Sequence, residues 1–291
     1  MRVYFIVKPL GAYTLKKLHQ SIEAVFDENI DSLHILNTLK KGHAIELTQK
    51  AIDEKAELVV ACGGDGTINE VARGLVETEI PIGIVPLGSG NGIARHFKIP
   101  FMISRAVQLL KKKNTAKMDV GEVDGNYFFG NMGCAFESHF IRTYQRNNWH
   151  GIWAYAIASL EAVLSFRHRK IKIEYLDKIR SISPFVLLVS NTNQQGYDFS
   201  LTPQAISDDG LLDLFWMEKS NLFNKIKFFL YALLKLNLTP KEFNLVRLSA
   251  LRISILDQDD FCVQIDGEYL PITSNYLEIK VLPKKLNVIV P

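Results

Sequence analysis

Short apolar runs alternate with amphipathic stretches along the first third of the chain. The apolar runs are typical of strands and comprise RVYFIV (2–7), HILNT (34–38), LVVACGG (58–64) and PIGIVPLG (81–88). The stretches 14–28, 42–56, 67–77 and 102–113 carry apolar residues at helical spacing. Strands that are apolar throughout, rather than on alternate residues, predict a parallel sheet with helices on both faces.

The pattern changes near residue 119. Residues 117–136 predict paired strands around an Asp124-Gly125 turn. Later strand candidates are KIKIEYL, FVLLVSN, LLDLFWM, ALRISIL, FCVQIDG and YLEIKVL, with helical insertions at about 151–166 and 221–236. We therefore predict an α/β nucleotide-binding domain over 1–121 and a mostly-β sandwich domain over 122–291, whose C-terminal tail could return to the first domain.

The composition narrows the class of protein. Of 291 residues, 47% are hydrophobic and 22% are charged, which is typical of a globular protein with substantial cores. A net charge of +3 without a long basic run argues against nucleic acid as a partner. The three cysteines, Cys62, Cys134 and Cys262, lack the spacing of a disulfide framework or zinc site, and no apolar run is long enough to span a membrane. We expect buried reduced thiols and a soluble, cytoplasmic protein.

A glycine-rich loop follows the strand LVVACGG and leads into a predicted helix. It contains Gly63, Gly64, Asp65, Gly66 and Thr67. Glycines there permit positive φ and close approach of a ligand, and the N–H groups at a helix start favour phosphate. Thr67 is placed to cap that helix, with Glu70 three residues on as in a capping box. A carboxylate among phosphate-binding amides suits a nucleotide that carries Mg²⁺, although Asp65 could instead bond local amides in a tight turn.

A second loop of the same kind follows the next strand. Gly88, Ser89, Gly90 and Asn91 lie between PIGIVP and the next predicted helix. Two such loops at successive strand ends predict a shared phosphate cleft, because ligands of open α/β sheets bind at the carboxyl ends of strands. The loop lacks the third glycine of the dinucleotide motif, and no P-loop pattern occurs. Arg95 and His96, which follow it, are expected to be merely solvated.

These motifs resemble the catalytic domain of the diacylglycerol kinase and sphingosine kinase superfamily, most closely its bacterial lipid kinase branch. The resemblance rests on GGDGTINEV, PLGSGNGIAR, LTPQAISDDGLLDLFWM and QIDGEYL in this order and extends over nearly the whole chain. GGDGT alone also occurs in NAD kinases and phosphofructokinases, so the ordered set carries the specificity. It implies Mg²⁺ and ATP as phosphate donor, and a fold like that of NAD kinases and diacylglycerol kinases.

The resemblance also implies roles for single residues. The nucleotide-binding set is Pro9, Thr38, Gly63, Gly64, Asp65, Gly66, Thr67, Glu70, Gly88, Ser89, Gly90 and Asn91. Asp65 and Asp119 would join Asp266 around the active-site metal, and Asp209 would help hold a structural metal. Asp266 would act as the base that accepts the hydroxyl proton, with Glu268 sharing the work, although Asp266-Gly267 alone predicts only a hairpin turn.

The chain departs from the family pattern in three places. The first strand ends in Lys8-Pro9 where the family usually has Asn-Pro, so one nucleotide contact is open. Glu137 falls near the aspartate of the family's Gly-Phe-Asp, and no headgroup role is assigned to it. The loop Ser89-Gly90-Asn91 is closer to the sphingosine kinase form, which leaves the lipid open.

The helical insertion NLFNKIKFFLYALLKLNL suggests a place for the lipid. Phe228, Tyr231 and Lys235 fall together on the face expected to be wet, which suits contact with a membrane surface. Core packing with a few exposed residues is the alternative.

We therefore expect an ATP-dependent kinase of diacylglycerol or a related lipid alcohol, peripherally membrane-associated and able to form a homodimer. A long-chain-base kinase, a nucleotide-gated lipid-binding protein without turnover and an NAD kinase are the alternatives, the last disfavoured by DGLLD and DGE.

Overall fold

A computed structural model describes residues 1–27, 29–146, 152–194, 200–218, 225, 243–256, 261–272 and 274–291, with only the backbone for 152–156 and 261. Its described residues form two compact units. The first comprises Met1–Val120 and the C-terminal segment Pro283–Pro291, and the second lies between them and begins at Gly121.

The first unit is built from alternating strands and helices. In chain order they are β1 (Arg2–Val7), α1 (Ala12–Glu23), β2 (Ser32–Asn37), α2 (His43–Asp53), β3 (Leu58–Gly63), α3 (Asp65–Leu75), β4 (Ile82–Pro86), α4 (Gly92–His96), α5 (Ile103–Leu110) and the start of β5 (Thr115–Val123). The first four strands are parallel in the order β2-β1-β3-β4. Helix α1 packs with α5, and α2 packs with α3.

This arrangement confirms the predicted parallel α/β sheet. Every residue of β3 and β4 is buried, as the continuous apolar runs indicated, because both faces of these strands are covered. Helix α1 ends at Glu23, so it is shorter than the predicted stretch 14–28. The end of the last strand, β16 (Tyr276–Ile289), pairs with β4 through Val288 and Ile82.

The second unit is mostly antiparallel. Its elements are β6 (Asn126–Phe128), β7 (Asn131–Gly133), α6 (Phe136–Arg146), α7 (Ile152–Ser165), β8 (Ile171–Tyr175), β9 (Lys178–Ile182), β10 (Pro184–Ser190), β11 (Leu212–Glu218), β12 (Phe243–Leu248), β13 (Ala250–Ile255), β14 (Phe261–Ile265), β15 (Glu268–Ile272) and the start of β16. One sheet has the order β12-β11-β10-β7-β14-β15. The opposing strands include β16, β13, β8 and β9.

The core of this sandwich lies between the two layers of strands. Leu214 and Trp216 of β11 point into it, as do Val263 of β14 and Ile253 of β13. Phe215 and Met217 of β11 alternate to the outer face, where they pack with residues of α6 and α7. The mostly-β sandwich predicted from short alternating strands is therefore confirmed, with two helices covering its outer face.

One helix of this unit was not predicted. Helix α6 follows directly on β7, and its sequence FESHFIRTYQR is rich in charge, so the apolar run ahead of it looked like part of a strand pair. The signal was the spacing of Phe136, Phe140 and Thr143, which are buried at intervals of four and three. The predicted helix at about 151–166 is confirmed as α7. Within the part of the chain that is described, no helix is long and apolar enough to cross a membrane.

Candidate active site

Several predicted nucleotide-binding residues lie together at the carboxyl end of the parallel sheet. Thr38 follows β2 and donates its N–H to the carbonyl of Val7, the last residue of β1 (2.8 Å). The N–H of Lys8 donates to Cys62 of β3 (3.1 Å), which places Pro9 at the same edge. The chain leaves β1 toward β2 and leaves β3 toward β4, so the topological switch point lies between β1 and β3. Ligands of such sheets bind at that crevice.

The two glycine loops pack directly on each other. A Cβ on Gly88 would lie 2.5 Å from Gly64 Cα, and a Cβ on Gly64 would lie 3.1 Å from Gly88 Cα. A Cβ on Gly90 would lie 2.7 Å from Asp65 Oδ2. These glycines are therefore required by the approach of one loop to the other. The expected positive φ is not found at the glycines of either loop, and the residue that adopts it is Asn91 (φ 52°).

Asp65 joins the two loops. Its Oδ2 accepts the N–H of Asn91 (2.8 Å), and its Oδ1 accepts the N–H of Gly92 (2.7 Å). These amides begin helix α4, where backbone N–H groups lack helical partners and the helix dipole favours an anion. Of the two interpretations that the sequence left open, local bonding by Asp65 is thus present, although the amides belong to the other loop.

The second loop is braced from within. The side chain of Asn91 accepts the N–H of Gly88 (3.1 Å) and donates to the Gly88 carbonyl (2.7 Å). Arg95 donates its Nε–H to the Gly90 carbonyl (2.9 Å), and its guanidinium lies over the ring of Phe101 (4.7 Å). The expectation that Arg95 is merely solvated was wrong, because one turn of helix carries its side chain back over the loop. Exposed Ser89 lies at the tip of this loop.

The predicted capping box is absent. Helix α3 begins at Asp65, so Thr67 already lies inside the first turn, and the hydroxyl of Thr67 packs against Gly63. The carboxylate of Glu70 accepts the N–H groups of Gly42 (2.8 Å) and Ala44 (3.1 Å), which start helix α2. Glu70 therefore caps a neighbouring helix instead of its own. Gly66 is exposed at the start of α3, and a Cβ there would meet nothing within 4 Å.

Asp119 is fully buried in the first unit. Its Oδ1 accepts the N–H of Lys284 (2.7 Å), a residue with φ 56° in β16. The carboxylate thus holds a bend in the C-terminal strand. Its predicted role in a metal network stays a prediction.

In the second unit, Asp266 and Gly267 form the turn between β14 and β15, with φ 49° and 83°. The turn expected from Asp-Gly is therefore present. The carboxylate of Asp266 reaches across to the strand connection β6–β7, which lies more than a hundred residues earlier in the chain. Oδ2 accepts the N–H of Phe129 (2.8 Å), and Oδ1 accepts those of Gly130 (2.8 Å) and Asn131 (2.9 Å).

Side chains from β7 and β14 fix this turn further. Gln264 donates to the side-chain oxygen of Asn131 (2.7 Å) and accepts the N–H of Gly267 (2.8 Å). Neither contact was predicted from the sequence. Glu268 is half-buried at the start of β15, two residues after Asp266. An Asp266 carboxylate held by three amides is oriented before any ligand arrives.

Asp209 lies in the segment before β11. It accepts the N–H of Leu211 (3.0 Å) and forms an ion pair with Arg247. The guanidinium already supplies the positive charge that a metal would bring there. Among the residues that the structure describes, no group of three or more His, Cys, Asp and Glu side chains is arranged to hold a metal ion.

Two buried carboxyl groups of the second unit form no well-aligned hydrogen bond with a described residue. Both oxygens of Glu137 and both of Asp213 are in this state. Burial raises the pKa of Glu137 to about 8 and that of Asp213 to about 6. A Cβ on Gly133 would lie 2.9 Å from Glu137 Cβ, so only glycine lets α6 start there.

Phe228, Tyr231 and Lys235, the predicted membrane residues, lie outside the described residues.

Comparisons with known proteins place the chain in a family. Residues 2–123 match the family description "Diacylglycerol kinase catalytic domain", and residues 135–290 match "YegS C-terminal NAD kinase beta sandwich-like domain". The chain belongs to the diacylglycerol kinase family. It is therefore a phosphotransferase with an alcohol as acceptor, and the resemblance seen in the motifs is confirmed.

Individual relatives agree with this family. The chain is 30% identical over 268 residues to a "Probable lipid kinase YegS-like" of Pectobacterium atrosepticum, covering 89% of this chain and 87% of the relative. It is 28% identical over 250 residues to a "Diacylglycerol kinase" of Staphylococcus epidermidis, covering 84% and 78%. The crystal structure of a diacylglycerol kinase from Bacillus anthracis shares the fold, with a TM-score of 0.74, 22% identity and coverage of 100% and 97%.

Proposed function

We propose that the protein transfers the γ-phosphate of ATP to the hydroxyl group of diacylglycerol or a related lipid alcohol. The observation that carries this proposal is the orientation of the Asp266 carboxylate. It lies in the turn between β14 and β15 and accepts three backbone N–H groups from the β6–β7 connection and the start of β7. A hairpin turn needs no such fixation. A group that accepts a proton in a transition state does need it, because its rate advantage depends on orientation.

The two glycine loops are the proposed binding site for the phosphates of ATP. The start of α3 presents N–H groups that have no partner within the helix, and Gly66 leaves the approach to them open. The contact of Gly64 with Gly88 and the bonds of Asp65 to the second loop hold both loops in one arrangement before the nucleotide binds. Thr38 and Pro9 border the same edge of the sheet.

Mg²⁺ fits Asp65 better than Asp209. A carboxylate oxygen that accepts one N–H keeps a second acceptor direction, so Asp65 could bind Mg²⁺ directly or through water. Asp209 already has its cation in Arg247. When bound with ATP, Mg²⁺ would offset the negative charge of the phosphates.

In the proposed reaction, Asp266 accepts the proton of the lipid hydroxyl as the hydroxyl oxygen attacks the γ-phosphorus. The bond between that phosphorus and the bridging oxygen breaks, and ADP leaves with the electron pair. Glu268 is the second candidate for the base, because the three amides on Asp266 compete with an incoming proton for the same oxygens. The proposal includes a peripheral membrane surface, from which a lipid acceptor must be drawn, and permits a homodimer.

A second candidate acceptor is a sphingoid long-chain base. The buried Glu137 carboxyl forms no well-aligned hydrogen bond with a described residue, and an acceptor lipid with an amino group would supply a charged partner. The form of the Ser89-Gly90-Asn91 loop points the same way. A diacylglycerol carries no such amine.

The decisive experiment measures transfer of labelled phosphate from ATP to a panel of lipid alcohols, diacylglycerols and long-chain bases among them. Asp266→Asn keeps the shape of the side chain and removes the basic oxygen. We expect kcat to fall by roughly 10² to 10⁴-fold, the usual effect of losing a general base, while the Mg²⁺-ATP requirement changes little. Glu268→Gln in the same assay tests the second candidate base.

The chain offers a matched control for this substitution. Asp124-Gly125 forms a hairpin turn with φ 45° and 78°, nearly the same as Asp266-Gly267. Among the described residues, the Asp124 carboxylate accepts the N–H of Glu278 (3.0 Å) and the hydroxyl of Ser274 (3.3 Å), so a single backbone N–H holds it. Asp124→Asn should leave kcat near the wild-type value. A wild-type protein that binds ATP and lipid yet phosphorylates no lipid would leave the non-catalytic, nucleotide-gated alternative in place of the kinase.

A further inference from the structure

A cavity of the second unit has a lining that does not include the proposed base, Asp266, and a composition of its own. Its volume is about 190 Å³, and its wall is formed by the beginning of α6, the segment after α7, and single residues of β8, β10 and β14. Pockets for whole drug-sized ligands measure roughly 300–1,000 Å³. This cavity therefore suits one compact chemical group, with the rest of a larger ligand outside it.

Positive charge converges on this cavity. Arg142, Arg167 and Arg169 line it, together with His139. Neither Arg142 nor Arg167 forms an ion pair with a described residue, and Arg142 instead lies over the ring of Tyr269 (5.8 Å). Both side chains are on exposed residues, so a ligand could reach them from solvent. Two guanidinium groups that have no carboxylate partner among the described residues can therefore donate charge-assisted hydrogen bonds to an anion at this opening.

Arginines of the cavity act on the imidazole of His139, which also lines the cavity. Burial lowers its pKa, and the guanidinium groups of Arg142, Arg169 and Arg146 lower it further, against a smaller opposing effect of Glu161. The imidazole shares a hydrogen bond with the hydroxyl of Ser165 (2.8 Å). An uncharged His139 under the field of several arginines marks a place where an anion would be stabilised.

Nearby acids do not cancel this field. Glu161 is already paired with Arg146 (2.7 Å). Glu137, which lies on the same helix as His139 and Arg142, is mostly protonated at neutral pH because burial raises its pKa to about 8. The Cys134 thiol in the cavity wall also stays protonated, since burial raises its pKa well above the ordinary value. Cys262, likewise in the wall, contacts the Ser138 hydroxyl (3.6 Å).

We propose that this cavity binds a phosphate group between Arg142 and Arg167. Phosphate carries more than one negative charge and presents several oxygens, so it can engage two guanidinium forks at once, which a single carboxylate cannot do as well. The group is either the headgroup of an anionic phospholipid or free phosphate. Phe166, Ile171 and Pro184 line the same cavity and would also accommodate apolar atoms next to the phosphate. The proposal does not depend on the kinase reaction, since it concerns binding alone.

The test measures binding to two probes at constant ionic strength: inorganic phosphate, and phosphatidylcholine vesicles with or without phosphatidic acid. Each probe is also used while the pH titration of the His139 imidazole is followed by NMR. A phosphate beside His139 should raise its pKa, because the anion stabilises the protonated ring. Binding of both probes identifies free phosphate as sufficient, whereas binding only to vesicles that contain phosphatidic acid identifies the lipid headgroup.

Variants connect the binding to the two arginines. Arg142→Gln and Arg167→Gln should each weaken binding by about ten-fold or more, as expected for loss of one charge-assisted contact. Arg180→Gln is the matched control, because it removes an exposed arginine of β9 that does not line the cavity. Melting curves confirm that each variant is folded. The proposal is overturned if the double variant of Arg142 and Arg167 binds as tightly as the wild type, or if neither probe shifts the His139 titration.

Discussion

The two units of the molecule treat their carboxyl groups differently. In the first unit, Asp65, Glu70 and Asp119 each accept backbone N–H groups, and Asp31 is paired with Lys111 Nζ (2.7 Å). In the second unit, Asp266 also accepts backbone N–H groups, but the buried carboxyl groups of Glu137 and Asp213 form no well-aligned hydrogen bond with a described residue. The first unit therefore uses these carboxylates as anionic braces, while the second also contains two carboxyl groups whose pKa is raised by burial, Glu137 to about 8 and Asp213 to about 6.

This difference separates carboxylates that hold the backbone in place from buried carboxyl groups that do not. The anions of the first unit hold loops, a helix start and a strand bend, so the proposed phosphate-binding edge of the sheet is set before a ligand arrives. An unsatisfied buried acid holds nothing and lowers stability once it ionises. Glu137 and Asp213 are therefore the groups of the second unit whose replacement should stabilise the protein above neutral pH.

The largest effect is expected at Glu137. Between its ordinary pKa of 4.5 and its pKa of about 8 in the protein, the unfolded chain releases a proton that the folded chain keeps. The free energy of unfolding should thus fall as pH rises through this window, by about 4 kcal/mol at pH 8. Glu137→Gln keeps the neutral shape and should remove the fall, as measured by denaturant unfolding at a series of pH values.

Glu23→Gln provides the comparison, because Glu23 is an exposed residue at the end of α1. That substitution should leave the pH profile of the wild type in place. If the Glu137→Gln protein keeps the wild-type fall in stability between pH 4.5 and 8, its carboxyl is solvated or paired and the contrast between the units is lost.

Ionisation of Asp213 should lower the free energy of unfolding in the same direction as that of Glu137, but by a smaller amount. Burial raises its pKa from 3.8 to about 6, so stability should fall as pH rises between these values. Asp213→Asn should be more stable than the wild type at neutral pH by about 2 kcal/mol. Asp208→Asn, an exposed position in the same segment, should have no such effect. Equal melting temperatures of wild type and Asp213→Asn from acid to neutral pH would contradict the prediction.

The sequence alone predicted the strands, most helices and the ordered motifs, because these depend on local periodicity and on residues near each other in the chain. It did not predict the partners of the carboxylates. Asp65 is bound by amides 26 and 27 residues away, and Asp266 by amides 135 to 137 residues away. Such contacts depend on which strands become neighbours. The same holds for Glu70, whose capping-box spacing fits its own helix while its carboxylate serves another.

Glu70 gives the next test of the bracing role. Its two oxygens accept the first N–H groups of α2, and Glu70→Gln would turn one acceptor into a donor facing an N–H. A loss of about 1 kcal/mol is expected, the usual value for a helix cap. Glu46→Gln alters an exposed glutamate in the first turn of the same helix and should cost less. The two variants should be compared by their midpoints of chemical denaturation, and identical midpoints would show that Glu70 braces nothing.

The smallest effect on stability is expected for the pair of Asp31 and Lys111. Its dependence on pH should be opposite to that of Glu137. The hydrogen bond from Lys111 holds the pKa of Asp31 below its ordinary value of 3.8. The pair therefore adds stability above that ordinary value, and the contribution is lost as pH falls through the lowered pKa. Lys111→Met removes the charge while its side chain can still cover the Phe26 ring, which Lys111 Nζ overlies at 4.7 Å.

The expected loss for Lys111→Met is under about 1 kcal/mol at neutral pH, because Lys111 is partly exposed and the N-terminal ammonium still donates to Asp31 (3.2 Å). The acid limb of the stability profile should become shallower, while the fall above pH 4.5 that Glu137 causes should be untouched. Lys112→Met, on the exposed neighbour, should alter neither limb. The two units are expected to lose stability at opposite ends of the pH scale. An acid limb that is unchanged in Lys111→Met would therefore show that this pair does not cause the loss of stability of the first unit in acid.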